Sequence, residues 1–263
     1  MTRLFTRSLR LGLFGLLGLL GLTAGRARAD DCPTPATLAP LLQTDGIFLG
    51  ELHGSVKVPA LVDCLARTLS TELAGQRRVT VALEIPQEAL DESHAFWRGT
   101  DGRASQAMVA LLRSMKALQA QGRIELIGFQ PTTYYPAQAD YEAGMARLLD
   151  AAPASHFLLA LAGNFHAAGP GFSPSAGGGL LPAGALMKRS MAHVLMVNRE
   201  ASASWHCVGG LCAAHPIRPA SLAAGKSPGL HPLREGGYEW IFIQDRLSPS
   251  PPVNLPPAQG PAS

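Results

Sequence analysis

The stretch that decides the fold is an apolar run ending in a short polar motif, and it occurs twice in the chain. The first copy is Ile47-Phe48-Leu49-Gly50-Glu51-Leu52-His53-Gly54. The second copy is Leu158-Leu159-Ala160-Leu161-Ala162-Gly163-Asn164-Phe165-His166. Each run has the length and composition of a buried strand, and each ends in Gly followed three residues later by His. Each copy therefore predicts a core strand that delivers an imidazole at its carboxyl end.

A third apolar run, Val79-Thr80-Val81-Ala82-Leu83, ends in the carboxylate of Glu84. Glu51 precedes His53 by two residues, and residues i and i+2 of an extended backbone face the same side. Open α/β sheets bind their ligands at the carboxyl ends of the strands. We expect Glu51, His53, Glu84 and His166 to meet at that edge and form an active site.

Each of these residues also has a structural interpretation. Either histidine could be a buried residue whose hydrogen bonds are satisfied within the core. Glu84 could cap a helix that begins near Gln87, because Pro86 suits a first helical position.

Strands alternate with helices along most of the chain. Helical spacing of apolar residues predicts helices at 58–73, 87–97, 105–121 and 135–150. Strand-like runs lie at 46–50, 79–84, 123–129 and 157–162, with two less regular ones at 193–197 and 238–243. This alternation predicts an α/β fold, with a mainly parallel sheet flanked by helices on both faces in a single domain.

The chain begins with the three parts of a secretory signal peptide. Arg3, Arg7 and Arg10 precede an apolar stretch over 11–22, and Ala27-Arg28-Ala29 fits the small-x-small cleavage pattern. The apolar stretch is shorter than a membrane span of about 20 residues, so we expect a cleaved signal peptide at 1–29 and no membrane span afterwards. We expect a periplasmic or secreted protein with its domain at 30–246 and a Pro-rich, disordered tail at 247–263.

The charge of the chain limits its partners. The formal net charge is +3, but five arginines lie within the first 29 residues, which leaves −2 for the remainder. That remainder has no run of Lys or Arg, which argues against nucleic acid as a partner. The expected partner is a small-molecule or peptide substrate.

All four cysteines lie after the predicted leader. An even number of cysteines in an exported chain favours disulfides. Cys207 and Cys212 flank Gly209-Gly210, which allows a short loop to close, so we expect this pair. Cys32–Cys64 then follows as the second pair. A zinc site is disfavoured because the spacing contains no Cys-x-x-Cys.

Three short motifs resemble one superfamily. Gly-Glu-x-His-Gly at 50–54, Glu-x-Pro at 84–86 and Gly-x-x-His at 163–166 are similar to segments of erythromycin esterases, ChaN-type haem-binding lipoproteins and Tiki/TraB metalloproteases. The first two motifs are most similar to the esterase branch, and the paired Gly-x-x-His is most similar to the Tiki branch. The export signal and overall size suit the ChaN branch.

The resemblance implies a hydrolase of ester or amide bonds with Glu51, His53, Glu84 and His166 as its catalytic residues. In a metal-free form, His53 is the general base on water, Glu51 or Glu84 orients it, and His166 protonates the leaving group. In a metal-dependent form, His53, His166 and Glu51 hold a divalent ion that keeps an open position for water.

The resemblance also implies an alternative, a non-catalytic haem- or iron-binding uptake protein of the ChaN type. His or Tyr would then be the axial ligand of the haem. Tyr134 and Tyr135, just after the third predicted strand, are the expected cofactor-facing residues. Core packing explains aromatic residues at this position equally well.

Overall fold

The computed structural model describes residues 32–133, 135, 137–175 and 178–255. The signal peptide predicted at 1–29 lies outside the described residues, as do Tyr134 and residues 256–263.

Helices and strands alternate through the first half of the chain, and strands predominate afterwards. The helices are α1 (Pro35–Leu38), α2 (Lys57–Glu72), α3 (Gln106–Ala120), α4 (Gln138–Asp150) and α5 (Ala183–Leu186). The strands are β1 (Gly46–Glu51), β2 (Val79–Leu83), β3 (Ile124–Gly128), β4 (Phe157–Gly163), β5 (Met191–Asn198), β6 (Ser202–Val208), β7 (Leu211–Ile217), β8 (Gly229–Glu235) and β9 (Tyr238–Gln244).

Seven strands form one sheet in the order β3-β2-β4-β1-β5-β9-β8. All neighbouring pairs are parallel except β8 and β9, which are antiparallel. Strands β6 and β7 form a separate antiparallel hairpin. The predicted α/β fold with a mainly parallel sheet is confirmed.

The sheet is buried on both faces, as the central strand shows. Every residue of β1 is buried, because β1 lies between β4 and β5 and is covered above and below. Ile47 and Leu49 belong to the core shared with α2 and α3, whereas Phe48 belongs to the core shared with α4. Burial on both faces explains why this strand is a continuous apolar run rather than an alternating one.

The helix predicted at 87–97 is wrong. This segment forms two separate 3-10 turns, Gln87–Leu90 and Ala95–Arg98. Between them, the Asp91 side chain accepts a hydrogen bond from the amide of Ser93, and Nδ1 of His94 accepts one from the amide of Phe96. Side chains that bond to nearby amides in this way offer the backbone an alternative to a helix.

The hairpin β6–β7 and strand β8 are not among the sequence predictions. The hairpin turns at Gly209 and Gly210, which have positive φ angles of 57° and 83°. Positive φ at both turn residues is the requirement of a tight type I′ hairpin turn. Cys207 and Cys212 pair across this turn, and Cys32 pairs with Cys64, so both predicted disulfides are confirmed. Two disulfides are typical of a protein of an oxidising compartment.

The disordered tail predicted at 247–263 is wrong for its first nine residues. Residues 247–255, called the C-terminal strap below, lie against the domain with Leu247 and Ser250 buried. Bridges join Ser55 to Pro249 and Ser105 to Pro252. Proline has no amide hydrogen, so the strap is held by other backbone groups. The amides of Ser250 and Val253 and the carbonyl groups of Ser248 and Pro251 form hydrogen bonds to the domain.

Among the described residues, no helix combines the length and the apolar character that a membrane crossing requires.

Candidate active site

Three neighbouring strands bring the predicted site residues together. In the order β2-β4-β1, Leu83 is paired with Leu161, and Glu51 is paired with Gly163. The carboxyl ends of these parallel strands therefore lie side by side. Glu84 follows β2, His166 follows β4, and Glu51 and His53 come from β1 and the loop after it. All four predicted residues meet at this edge of the sheet.

His53 lies between two carboxylates. Its Nδ1 is 3.0 Å from Oε1 of Glu51, and its Nε2 is 3.4 Å from Oε2 of Glu84. Glu51 and Glu84 are both buried, whereas the His53 side chain is 26% exposed. Both nitrogens of the ring are thus held by carboxylates. A substrate can reach the ring from its exposed side.

His166 also lies between two carboxylates. Its Nδ1 is 2.9 Å from both oxygens of Glu142, and its Nε2 is 3.8 Å from Oε1 of Glu84. Glu142 belongs to α4 and is completely buried. Its carboxylate also accepts hydrogen bonds from the amide of Ala183 at 2.9 Å and from the side-chain amide of Gln138 at 2.7 Å. These bonds hold the Glu142 carboxylate in one orientation.

The two imidazoles share the carboxylate of Glu84. The contacts therefore form a chain in which carboxylates and imidazoles alternate, with a carboxylate at each end. We call it the Glu/His chain; its members are Glu51, His53, Glu84, His166 and Glu142. Each imidazole has its own carboxylate at Nδ1 and directs Nε2 towards the shared one. Fixing one nitrogen of a histidine determines the orientation of its other nitrogen.

Glu84 receives two further hydrogen bonds. The amide of Gly163 donates to Oε2 at 2.7 Å, and Nη1 of Arg103 donates to Oε1 at 3.4 Å. Arg103 is in turn 3.0 Å from Asp101 and 3.4 Å from the side-chain oxygen of Gln130. Both oxygens of the Glu84 carboxylate therefore have partners within the site. Glu84 does not cap the turn at Gln87, whose first residue receives no side-chain hydrogen bond.

Gly163 lies at the centre of the site, where three functional side chains pack closely around it. A Cβ at this position would lie 3.1 Å from Nε2 of His53, 3.4 Å from Cδ2 of His166 and 3.7 Å from Oε2 of Glu84. The absence of a side chain therefore lets the three side chains come this close together. The glycine that ends the second apolar run has a direct role in the shape of the site.

The positive groups around Glu84 keep it ionised. Burial by itself raises the pKa of a carboxyl group, but the charges of His53, His166 and Arg103 outweigh it and lower the pKa of Glu84 to about 2. Glu51 behaves in the opposite way. Burial raises the pKa of Glu51 more than the contact with His53 lowers it, and its Oε2 is buried with no hydrogen-bond partner among the described residues.

The carboxylates favour the protonated form of both histidines. Burial alone would lower the pKa of His53, but Glu84 and Glu51 raise it to about 10. Burial also opposes the charged form of His166, and its hydrogen bond to Glu142 and the charge of Glu84 raise its pKa. The resting site thus contains an ion pair between the His53 imidazolium and the Glu84 carboxylate.

Sequence reasoning missed Glu142, Arg103 and Tyr141. Glu142 does carry a sequence signal, because it shares the buried face of α4 with Met145, Ala146 and Leu149 at helical spacing. An acidic residue within an apolar stripe requires a partner. Tyr141 packs its ring against the His166 ring at 6.0 Å, and burial raises the pKa of its hydroxyl to about 12. Arg103 lies in a short turn, where no periodic pattern distinguishes it.

His53, His166 and Glu51, the metal ligands predicted from the sequence, lie at one edge of the sheet but are not arranged around a common point. Glu51 contacts Nδ1 of His53, whereas the Nε2 atom of that ring points away from Glu51 towards Glu84. A carboxylate at the second nitrogen orients the ring and does not share its ligand position. In the part of the chain that the structure describes, no group of three or more His, Cys, Asp or Glu side chains is arranged to hold a metal ion.

Tyr135 lies apart from the Glu/His chain. Its ring packs against Tyr141 at 6.5 Å, and its hydroxyl is 3.5 Å from Arg147. The cavity beside it is lined largely by polar residues, including Gln87, Gln130, Thr132 and Thr133. A cofactor as apolar as a porphyrin needs a predominantly apolar slot. The described surroundings of Tyr135 do not fit haem.

Comparisons with known proteins give only distant similarities. No family model and no curated protein matches this sequence. The solved structure of the type III effector HopBA1 aligns with a TM-score of 0.46 and 8% identity, over 79% of this chain and 91% of the effector. ChaN of Campylobacter jejuni, described with cofacial haem binding, has a TM-score of 0.40 and 13% identity, over 79% of this chain and 90% of ChaN. These are similarities of overall fold at low identity, and no function follows from them.

Proposed function

We propose that this protein is a hydrolase of ester or amide bonds that works without a metal ion. The observation that carries the proposal is the Glu/His chain at the carboxyl edge of the sheet. Two histidines with buried carboxylates at Nδ1 lie next to Gly163 and direct Nε2 towards the shared carboxylate of Glu84. A base and an acid on opposite sides of a reacting centre are what the hydrolysis of an acyl group requires.

His53 is the general base in this proposal. Glu51 holds its Nδ1, so a neutral His53 is unprotonated at Nε2, and in this proposal a water molecule reaches Nε2 from the exposed side of the ring and displaces its contact with Glu84. Proton transfer from that water to Nε2 creates an imidazolium, which Glu51 and Glu84 stabilise on both sides. The same charges keep most His53 protonated at neutral pH, since its pKa is about 10. The fraction of active base therefore increases as the pH rises.

His166 is the general acid. Its hydrogen bond to Glu142 and the charge of Glu84 raise its pKa, which favours the protonated form that a general acid needs. The Nε2 proton can pass to the leaving oxygen or nitrogen as the acyl bond breaks. Glu142 is held by hydrogen bonds from Ala183 and Gln138 and keeps the ring in place.

Glu84 stabilises both imidazolium ions, and Arg103 adds a positive charge beside it. Arg103 lies 3.4 Å from Glu84 and 3.0 Å from Asp101, so its charge is shared between these two carboxylates. Arg103 is 27% exposed, which lets it help to hold a polar or anionic part of the substrate near the site.

The test is a hydrolysis assay on purified protein with panels of aryl esters and anilides at pH 7 to 10. We expect activity that a strong chelator leaves unchanged and that His53→Ala removes. His94→Ala serves as a matched control, because His94 only caps a short turn. Loss of activity on chelation, with recovery on adding one divalent ion, would contradict the metal-free form. A Soret band or stoichiometric iron in the purified protein would favour the haem- or iron-binding alternative.

We also propose that the protein is exported to the periplasm or secreted, with Asp30 as its mature N-terminus. The cleavage pattern at 27–29 and the two disulfides support this proposal. N-terminal sequencing of protein recovered from the periplasm or medium should begin at Asp30. A sequence beginning at Met1, or a lipid on Cys32, would contradict it.

A further inference from the structure

We propose that the C-terminal strap positions His53 and Arg103 against Glu84 by tying together the two loops that carry them. These are the His53 loop (residues 52–56) and the Arg103 loop (residues 101–105). The proposal deepens the hydrolase function and rests on it for what the positioned groups do.

The strap bonds to the His53 loop through backbone groups. The amide of Ser250 donates to the carbonyl of Gly54 at 2.8 Å, and the amide of Val56 donates to the carbonyl of Ser248 at 2.9 Å. Gly54 directly follows His53 and has a positive φ of 82°. These two bonds hold the backbone on the side of His53 that leads into α2.

The strap bonds to the Arg103 loop and to the start of α3 in the same way. The amide of Val253 donates to the carbonyl of Ala104 at 3.0 Å, and the amide of Gln106 donates to the carbonyl of Pro251 at 2.9 Å. The amide of Ala107 donates to Oγ of Ser250 at 2.9 Å. The first amides of a helix have no partner within the helix. The strap supplies partners for two such amides of α3.

Ser250 joins the His53 loop to the start of α3, which directly follows the Arg103 loop. Its amide bonds to Gly54 and its hydroxyl bonds to Ala107, while its side chain is almost completely buried at 2% exposure of the residue. The two loops also approach each other directly, because a Cβ on Gly102 would lie 2.6 Å from Cα of Gly54. The strap closes this contact from the outside.

The connection matters because His53 and Arg103 act on the same carboxylate. Each lies 3.4 Å from Glu84, although one comes from the loop after β1 and the other from the turn before α3. Loops are the segments of a fold whose positions are least constrained. A displacement of about 1 Å in a catalytic group can cost about 100-fold in rate. A common anchor on both loops keeps this geometry.

The experiment compares two chain ends and two serine variants. One chain stops after Arg246 and lacks the strap, and its control stops after Leu255 and keeps it. In the full-length protein, Ser250→Ala removes the hydroxyl bond to Ala107. Ser248→Ala is the matched control, because Ser248 accepts from Val56 through its backbone oxygen and its side chain is exposed.

The first readout is the proton NMR titration of the imidazole signals, with His53 assigned by its absence in His53→Ala. Without the strap, we expect the midpoint of His53 to fall from about 10 towards the ordinary value, because the ring is no longer held beside Glu84. His166 is the internal control, since Glu142 on α4 holds it. The second readout is kcat, which we expect to fall by about 100-fold with KM little changed.

Unchanged titration of His53 in a folded chain that stops after Arg246 would overturn the proposal. Should that chain not fold by circular dichroism, Ser250→Ala decides by the same titration, where a shift supports the proposal and an unchanged midpoint overturns it. The titration needs no substrate. A protein without hydrolase activity would thus refute the proposed function, while the titration still tests the strap.

Discussion

Nδ1 of His166 lies 2.9 Å from both carboxylate oxygens of Glu142, a residue on α4 that is completely buried. A buried carboxylate is costly unless it is paired, and the His166 imidazole is the charged partner of Glu142. The pair therefore requires His166 to remain in one orientation. The pair with Glu142 therefore fixes the position of His166, although this residue lies in a loop, and raises its pKa.

The first prediction follows from this pair. Glu142→Gln should lower kcat/KM by about 10²- to 10⁴-fold, the range that general acid–base catalysis contributes. The neutral amide no longer raises the pKa of His166, so less acid is available at neutral pH. The measurement is a steady-state assay beside Asp140→Asn, an exposed change on the same helix. Equal activity in the two variants would exclude His166 as the acid.

The second prediction concerns pH. Because His53 must be unprotonated and His166 protonated, kcat/KM should rise with pH while the unprotonated fraction of His53, whose pKa is about 10, increases, and it should level off or fall where His166 loses its proton. Negative charge at Glu84 favours the imidazolium, so Glu84→Gln should move this rise to lower pH. Profiles from pH 5 to 11 for both proteins measure the shift. A midpoint that stays in place in the variant would show that Glu84 does not control His53.

The third prediction uses the close packing at Gly163. Gly163→Ala should lower kcat/KM by about tenfold or more, because the new methyl group would lie 3.1 Å from Nε2 of His53 and displace that ring. The φ angle of Gly163 is not positive, so the backbone accepts alanine. Gly171→Ala is the control, since its Cβ would meet its nearest neighbour at an ordinary 3.6 Å. Both variants should melt close to the parent, and a selective loss of stability in Gly163→Ala would argue against a role in the site.

The fourth prediction tests whether the two histidines act on one centre. His53→Ala and His166→Ala should each remove most of the activity, and the double variant should be little worse than either. Residues that act as a unit are strongly non-additive. Circular dichroism should show that the three proteins fold, because both rings are partly exposed at the edge of the sheet. Independent, multiplying losses would indicate two separate roles.

Much of the fold can be predicted from the local pattern. The apolar runs that become β1, β2 and β4 are continuous because those strands are buried on both faces. Helices α2 and α3 show helical spacing of apolar residues because each buries one face. The segment at 87–97 was harder to predict. Its apolar residues follow a helical spacing, but local bonds of Asp91 and His94 compete with the helix.

Some residues of the predicted site could be placed from the local pattern, and others could not. Glu51, His53, Glu84 and His166 follow directly from the ends of the parallel strands, because such strands present their carboxyl ends at one edge. Tyr135, which follows the end of β3, lies apart from them. That strand is at the outer edge of the sheet, and Tyr141 lies between Tyr135 and His166.

The sequence by itself determined strands β1 to β5 and β9, the main helices, both disulfides and the edge at which the four predicted residues meet. Only the tertiary structure decided which carboxylate faces which imidazole, that Glu142 and Arg103 complete the site, and that the C-terminal strap is ordered. The reason is physical. Strand and helix formation depends on neighbours within a few residues, whereas the pair of His166 and Glu142 spans 24 residues and the bond from Gly163 to Glu84 spans 79. Contacts over such distances arise only when the sheet is assembled.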